Sequence, residues 1–310
     1  MLKFLFKKLS FLALLSLYLG FAQPSNAKPL QIYASIKPVQ GIVEALIDGT
    51  DMKVGVMIPD GMSPHHFVLT PGSISKFNQA DLLIWIGPQL EGCLIQYFKS
   101  GQSKQLQLIN VAGLKKYAAR DLMTYMINAP HHHHDKSAVD GHIWLNTDNV
   151  KRMGQAIAAQ LIALGSSHKD RIQKNLDRLY HEMDEALKRN QKLLPSQDPH
   201  YFVMHDAYQY FEKQYGLMPN GVVHIVPHQK PSAKHLNQLI RQAKAYGEVC
   251  FFSEPQLGQA MIQFFETYPM FKKGMLDPLG KEIEMDKSYI SKLFLSLADQ
   301  YHSCFKQLGQ

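Results

Sequence analysis

Three histidines stand where the sequence predicts that strands end and loops begin. His65 follows a predicted strand that ends at Ile58, and His205 ends the first predicted strand of the second half of the chain. His142 immediately precedes a long helical stretch. Neutral imidazoles bind Zn²⁺ with Zn–N distances of ~2.0–2.1 Å. These rings could share one zinc ion if the fold brings them together. Because they are far apart in the sequence, it stays open whether each histidine instead has a separate structural role.

The elements that must position these histidines alternate in the first half of the chain. Strands are predicted at 30–36, 52–58, 82–86 and 106–109, with a helix at 41–47 and short helical patterns between the later strands. Alternation of this kind favours an α/β fold with a parallel sheet covered by helices on both faces. Since ligands of such sheets bind beyond the carboxyl ends of the strands, the loops there are candidate sites.

A long helical stretch separates this region from a second alternating one. It covers 150–164 and 168–194, and Thr147 or Asp148 is the expected N-cap of its first helix. Strands then follow at 201–204, 222–226 and 249–252, and a last helix is predicted at 288–308. The pattern indicates two α/β halves joined by a helical connector.

Composition places the chain among globular proteins. The chain has 310 residues, 45% of them hydrophobic, and 3 cysteines, which excludes disordered, collagen-like and small disulfide-rich classes. At ~150 residues per domain, this length predicts two domains. The formal net charge is +7, and it falls to +4 without the three lysines of the N-terminal segment, which is too small to indicate a nucleic-acid partner.

The N-terminus has the pattern of an export signal. Lysines among the first eight residues precede an apolar run at 9–22, and Ser25-Asn-Ala27 forms a small-x-small cleavage pattern. We therefore expect a signal peptide at residues 1–27. No later stretch reaches the ~18 apolar residues of a membrane span, and the first cysteine is Cys93, so a soluble periplasmic protein without a lipid anchor is expected.

Six short motifs are distributed along the chain. They are Ala34-Ser-Ile-Lys-Pro38, Ser63-Pro-His65, His142-Ile-Trp-Leu145, His205-Asp-Ala-Tyr208-x-Tyr-Phe211, Phe252-Ser-Glu-Pro-Gln256 and Leu276-Asp-Pro-Leu-Gly280. In this order they resemble the periplasmic zinc-binding proteins of ABC importers, the ZnuA type of the cluster A-I solute-binding family. Each motif is short, but six in register are highly specific, and the resemblance covers essentially the whole mature chain.

The resemblance implies two α/β lobes joined by a long rigid helix. The expected divisions are an N-terminal lobe at 28–165, a connecting helix at 166–197 and a C-terminal lobe at 198–310. Zn²⁺ would lie between the lobes, bound by His65 and His142 from the first and by His205 from the second. The resemblance further implies a binding protein, not an enzyme, that delivers zinc to a membrane permease, and we expect a monomer.

Asp277 is the candidate for a fourth ligand. The resemblance places it where related manganese proteins supply a carboxylate. In zinc-binding members it could be a ligand, be replaced by water, or act from behind the ligands. An ordinary role as a turn residue before Pro278 is equally open.

The histidine tract is a second feature that the resemblance covers. His131, His132, His133 and His134 are similar to the histidine-rich loop that these zinc proteins carry beside the cleft, where it could collect or hand over Zn²⁺. The alternative is a solvated loop without a metal role. No second site is expected at His224, His228 and His235: the last two are expected to face solvent, and His224 to pack on a strand.

Cysteine pairing is also implied by the resemblance, which pairs Cys250 with Cys304 and ties the last helix to a strand of the second lobe. An oxidising periplasm permits this disulfide. Cys93 would then stay unpaired, and we expect it to be a small buried hydrophobic residue.

The chain departs from the family pattern at two places. Pro71-Gly-Ser73 stands where Pro-Ser-Asp is common, and Thr147 stands where proline is common, so these loops could differ locally. His66, beside His65, could compete for the ligand role, but only His65 matches the motif.

The donor set favours zinc. Three imidazoles suit Zn²⁺, Cu²⁺ or Ni²⁺, whereas Mn²⁺ and Ca²⁺ prefer oxygen ligands. Histidine instead of glutamate at position 205 therefore points to zinc, although Cu²⁺ binds such ligands more tightly. The alternatives are a protein of the same fold for manganese or another divalent metal, a zinc-dependent hydrolase, and a surface adhesin. The hydrolase is disfavoured because the chain has no His-Glu-x-x-His motif.

Overall fold

The computed structural model describes residues 29–99, 104–120, 139–194, 199–224, 231–257 and 259–308. The predicted signal peptide at 1–27 and the His131–His134 tract lie outside the described residues. The described residues form two four-stranded sheets in which all strands pair in parallel. The predicted α/β class with two parallel sheets is confirmed.

The first sheet has the strand order β2-β1-β3-β4. Its strands are β1 (Gln31–Ala34), β2 (Lys53–Val56), β3 (Leu82–Trp85) and β4 (Gln105–Gln107). Its helices are α1 (Lys37–Ile47), α2 (Pro71–Phe77) and α3 (Ile95–Lys99). Strand β3 is buried along its whole length, as expected for an apolar strand inside a covered sheet. We call the part of the molecule around this sheet the first lobe.

The Pro71-Gly-Ser73 departure is compatible with a regular helix start. Thr70 is the N-cap of α2, and its hydroxyl accepts the Ser73 backbone N–H. The Ser73 hydroxyl in turn accepts the Thr70 backbone N–H at 2.9 Å. This reciprocal pair forms a capping box, with serine in the place usually taken by Glu or Gln.

The second sheet repeats the architecture with the order β6-β5-β7-β8, and defines the second lobe. Its strands are β5 (Tyr201–His205), β6 (Gly221–His224), β7 (Val249–Ser253) and β8 (Phe271–Met275). Strand β8 is not among the sequence predictions. It pairs with β7 only, and because it lies at the edge and stays partly exposed, its Phe-Lys-Lys-Gly-Met sequence does not show the apolar pattern of a buried strand.

Two long helices that pack against each other follow the first sheet in the sequence and precede the second. They are α4 (Thr147–Leu164) and α5 (Lys169–Leu193). The prediction that Thr147 or Asp148 caps α4 is wrong. Asn146 is the N-cap, and its side-chain oxygen accepts the backbone N–H groups of Asp148 and Asn149 at 3.1 Å. A short Asx side chain reaches the second and third helical N–H groups from the position just before the helix. The exact domain divisions stay a prediction.

The remaining helices are α6 (Gln209–Tyr215), α7 (Ala233–Tyr246), α8 (Gln259–Glu266) and α9 (Tyr289–Phe305). Helices α1, α5 and α9 contact one another, and one apolar core runs through both lobes. The approach of α1 to α9 is close, since a Cβ atom at Gly41 would overlap the Tyr289 ring. The two lobes therefore share one packed core on the side of these three helices. The candidate site lies at the carboxyl ends of the strands. Among the described residues, no helix is long and apolar enough to cross a bilayer.

Candidate metal centre

His65 is positioned by the loop that connects β2 to α2. Its neighbours Pro64 and Phe67 are buried, whereas His65 is half-buried and His66 is exposed. The two buried residues anchor the loop on either side and direct one histidine of the pair inward. The structure therefore supports the choice of His65 over His66.

His142 and His205 are positioned by regular structure on opposite lobes. His142 immediately precedes a 3₁₀ turn at Ile143–Leu145, all three residues of which are buried. His205 is the last residue of β5, where it pairs in register with His224 of β6. Both rings are buried, with 6% and 3% exposure for His142 and His205. The carboxyl end of β5 faces the loop that carries His142, since the two ring centroids lie 5.1 Å apart.

The three predicted histidines come together. Each offers a ring nitrogen within 4.8 Å of a ring nitrogen of the other two. The ring centroids lie 5.4 Å apart for His65–His142 and His65–His205, and 5.1 Å apart for His142–His205. A tetrahedral zinc ion would hold its nitrogen ligands at about 3.3 Å from one another, so this spacing is compatible with three bonds to one ion.

A buried carboxylate lies behind His142. This carboxylate belongs to Asp140, whose Oδ1 atom is 2.7 Å from His142 Nδ1 and accepts the His142 backbone N–H at 3.0 Å. Burial alone would raise the pKa of Asp140, but the His142 ring and the hydrogen bonds from His142 and Gln209 outweigh it and lower that pKa. An ionised carboxylate only accepts hydrogen bonds, so the ring proton belongs on Nδ1. The Nε2 lone pair of His142 is then available for a metal.

Glu254 has the corresponding place behind His205. Its Oε2 atom lies 3.4 Å from His205 Nδ1, and its Oε1 atom accepts the Tyr208 hydroxyl at 2.9 Å. Burial alone would lower the pKa of His205, but Glu254, with smaller contributions from Asp206 and Asp140, outweighs it and raises that pKa. The other ring nitrogen, Nε2, is buried and has no hydrogen-bond partner among the described residues. A buried nitrogen lone pair of this kind fits a metal ion.

The histidines line a small cavity between the lobes. Its volume is about 20 Å³, which suits one ion or one water molecule. Both lobes contribute to its wall: Ser63, Pro64, His65, His142, Trp144, His205, Glu254, Gln256, Leu257, Pro278 and Leu279. The indole N–H of Trp144 donates to the Pro278 carbonyl at 2.9 Å and joins the two lobes at this wall.

Asp277 is held by its own turn. Its Oδ1 atom accepts the Gln256 amide at 2.8 Å and the Leu279 backbone N–H at 3.0 Å, and its Oδ2 atom accepts the Lys281 backbone N–H at 2.6 Å. Among the described residues, the group of converging ligand atoms contains the three histidines and not Asp277. These contacts favour a role in shaping the turn at 277–281, and a direct bond to the metal stays a prediction.

A buried ion-pair cluster crosses between the lobes next to His205. The Arg120 guanidinium pairs with Asp206, through two hydrogen bonds, and with Glu212 at 2.7 Å. All three side chains are at most 8% exposed. The residue directly after His205 is therefore fixed by a cation from the first-lobe side of the interface.

Sequence reasoning did not assign a role to the groups behind the ligands. Glu254 belongs to the Phe252-Ser-Glu-Pro-Gln256 motif, and Asp140 stands two residues before His142, so both were visible in the sequence. Nothing in that spacing shows which ring each carboxylate faces. An acidic residue close in sequence to a predicted histidine ligand is the signal that could have found Asp140.

The other histidines have different outcomes. His235 is buried, and its Nε2 atom donates to the Val222 carbonyl at 2.8 Å, so the prediction that it faces solvent is wrong. The first turn of α7 lies against β6, and His235 is on that covered side. His224 is half-buried at the end of β6. His228 and the His131–His134 tract lie outside the described residues.

The cysteines pair as the resemblance implies. Cys250 and Cys304 form a disulfide with a Cα–Cα distance of 6.0 Å, which links β7 to α9. Cys93 is a free thiol and is half-buried, so it is more exposed than expected.

Comparisons with known proteins show which family the chain resembles over most of its length. Residues 32–299 match the family model described as ZnuA, zinc-uptake complex component A, periplasmic. The chain is 33% identical over 309 residues to the high-affinity zinc uptake system protein ZnuA of Yersinia pestis, covering 95% of this chain and 97% of that protein.

Solved structures share the fold. A crystal structure of ZnuA aligns with a TM-score of 0.72 at 23% identity, over 88% of this chain and 99% of that one. The periplasmic zinc-binding protein TroA from Treponema pallidum aligns with a TM-score of 0.73 at 16% identity, over 89% of this chain and 99% of that one. At these identities the likeness concerns the fold.

Proposed function

The chain belongs to the ZnuA family of periplasmic zinc-uptake components, and from that premise we propose that it captures Zn²⁺ between its lobes and delivers it to the permease of an ABC importer. The family consists of metal-binding components of uptake systems, so the chain is a binding protein and not an enzyme. Zinc is its cargo, and His65, His142 and His205 are the proposed ligands.

One observation carries the proposal: ring nitrogens from both lobes approach within 4.8 Å around a cavity the size of an ion. Two of the rings have a buried carboxylate behind them. This donor set favours zinc over manganese, because imidazole nitrogen outnumbers carboxylate oxygen among the converging ligand atoms. Loss of either lobe's contribution would leave too few protein ligands for tight binding.

The test is a zinc titration of the mature chain in competition with a chromogenic chelator. Wild-type protein is expected to take up one Zn²⁺ tightly, and His142→Ala and His205→Ala to lose most of that affinity. His168→Ala is the control, since that half-buried ring pairs with Asp51 in the first lobe. Equal zinc affinity in all four proteins would refute the proposed ligands. A preference for Mn²⁺ in the same titration would support the manganese alternative.

Localisation and assembly are part of the same proposal. We expect cleavage after Ala27, release of the mature chain by osmotic shock of the cells, and a monomer in solution. N-terminal sequencing of the shock fluid and light scattering measure these properties. Recovery of the protein on the cell surface would favour the adhesin alternative.

A further inference from the structure

One carboxylate connects a ligand of the first lobe to a helix of the second. Asp140 faces His142 with its Oδ1 atom, at 2.7 Å from Nδ1. Its Oδ2 atom accepts the side-chain amide of Gln209 at 3.1 Å. Asp140, His142 and Gln209 are 6%, 6% and 2% exposed, so water does not compete strongly for these contacts. The hydrogen-bonded chain His142–Asp140–Gln209 therefore runs across the lobe interface.

The orientation of the Gln209 amide follows from its partners. Its Nε2 atom donates both to Asp140 Oδ2 and to the Ala118 carbonyl, each at 3.1 Å. Both partners are acceptors, so the nitrogen and not the oxygen must face them. Gln209 is also the first residue of α6, four positions after His205. The helix that follows the second-lobe ligand thus holds the carboxylate behind a first-lobe ligand.

The next residue of α6 strengthens the same attachment. The Tyr210 hydroxyl donates to the Asp140 backbone carbonyl at 2.9 Å and accepts the Tyr117 backbone N–H at 3.2 Å. Residue 140 is therefore held by α6 at its side chain and at its backbone. Its position depends on the docking of α6.

A neutral amide is chemically suited to this place. It fixes one carboxylate oxygen through a hydrogen bond without neutralising the charge, so the other oxygen remains a strong acceptor for His142 Nδ1–H. A histidine that donates to a carboxylate is a more basic metal ligand with a fixed ring orientation.

We propose that Gln209 is a positioning residue for zinc binding, which orients His142 across the lobe interface by fixing Asp140. The inference rests on the proposed function and adds a route for release. When α6 separates from the first lobe, Asp140 loses its Gln209 contact and His142 loses its fixed orientation. Separation of α6 from the first lobe would therefore lower zinc affinity.

The experiment compares zinc dissociation constants by chelator competition. Gln209→Leu keeps the size of the side chain and removes both hydrogen bonds. We expect zinc binding to weaken by about 10-fold, the lower end of effects seen for groups behind metal ligands. The absorption spectrum of the Co²⁺-loaded variant should also change, because the ring orientation at the metal is altered.

Gln214→Leu is the matched control. Gln214 lies on the same helix and also crosses to the first lobe, where it exchanges two hydrogen bonds of 2.9 Å with Thr147. The substitution removes these two hydrogen bonds between α6 and the first lobe and leaves the Gln209 and Tyr210 contacts to residue 140 in place. We expect its zinc affinity to stay within about twofold of wild type, and its Co²⁺ spectrum to be unchanged.

A double-mutant cycle with Asp140→Ala separates positioning from general loosening. If Gln209 acts through Asp140, Gln209→Leu has no further effect on zinc affinity in the Asp140→Ala background. Additive losses, or equal losses in Gln209→Leu and Gln214→Leu, would overturn the inference. Gln209→Met repeats the test if the leucine variant does not fold. Wild-type protein that binds no zinc would instead refute the proposed function.

Discussion

Glu254 stands behind His205 at 3.4 Å, whereas Asp140 stands behind His142 at 2.7 Å. All four side chains are buried. The two ligands therefore have the same kind of support with different strength, since a hydrogen bond weakens as its length increases beyond about 3 Å. The Glu254 carboxylate also accepts a hydrogen bond from the Tyr208 hydroxyl, so it is shared between His205 and Tyr208.

The unequal support predicts an order of effects on zinc affinity. Asp140→Asn should weaken zinc binding by about 10-fold to 100-fold, and Glu254→Gln should weaken it less, because the lost charge is farther from its histidine. Chelator competition at pH 7.5 measures both. Asp148→Asn is the control, as its exposed carboxylate pairs with Lys115 away from the rings. A larger effect for Glu254→Gln than for Asp140→Asn would contradict this prediction.

Glu91 should make the stability of the zinc-free protein depend on pH. Burial raises its pKa to about 7, although Ser35 and the backbone N–H groups of Gly87 and Ile86 oppose this by hydrogen bonding. Between pH 4.5 and 7 the unfolded chain has released the proton that the folded chain still holds. The free energy of unfolding should therefore decrease with rising pH across that window, by roughly 3 kcal/mol, and level off above it.

Glu212 has a similarly raised pKa and would add a change of the same sign. The contribution of Glu91 is therefore measured as a difference between wild type and Glu91→Gln in urea unfolding from pH 4.5 to 8. The difference in the free energy of unfolding between wild type and Glu91→Gln should change between pH 4.5 and pH 8 only if Glu91 titrates in this window. Parallel curves would show that it does not.

Removal of Arg120 should destabilise the fold. Arg120→Met removes the guanidinium that pairs with the buried carboxylates of Asp206 and Glu212. Breaking a buried ion pair by removing one partner costs about 3–5 kcal/mol. The free energy of unfolding in urea measures the loss, and Glu212→Gln in the Arg120→Met background should recover part of it.

An exposed pair provides the comparison for Arg120. Arg189 and Asp299 form an ion pair with 41% and 54% side-chain exposure. Arg189→Met should change stability by less than about 1 kcal/mol, because water solvates the remaining charge. Similar losses for the two arginine variants would show that burial does not govern the effect.

The disulfide should contribute strongly to stability. Cys250 and Cys304 are separated by 54 residues, and closing a loop of that size stabilises by about 4 kcal/mol in the chain-entropy model. The double variant Cys250→Ser/Cys304→Ser should lose about this amount in urea unfolding. Reductant should lower the stability of Cys93→Ser as it does that of wild type, since Cys93 is not bonded to another cysteine. A reductant-insensitive Cys93→Ser protein would refute the assignment.

Much of the fold followed from local patterns. Apolar alternation and helix signals predicted seven of the eight described strands and the long helices, because side-chain burial in these elements repeats with the backbone period. Strand β8 escaped this reasoning because its residues are only partly buried at the sheet edge. The prediction that His235 faces solvent was wrong because β6 covers this polar residue in the first turn of α7. No local sequence pattern shows that contact.

The sequence by itself determined which residues could bind a metal, since His65, His142 and His205 follow from strand ends and from motifs shared with a known family. Only the tertiary structure decided what surrounds them. The pairing of Asp140 with Gln209 and of Arg120 with Asp206 depends on how the two lobes dock. Docking depends on packing between elements that are distant in the sequence. Each of these contacts joins single side chains, so the spacing of residues along the chain does not reveal it.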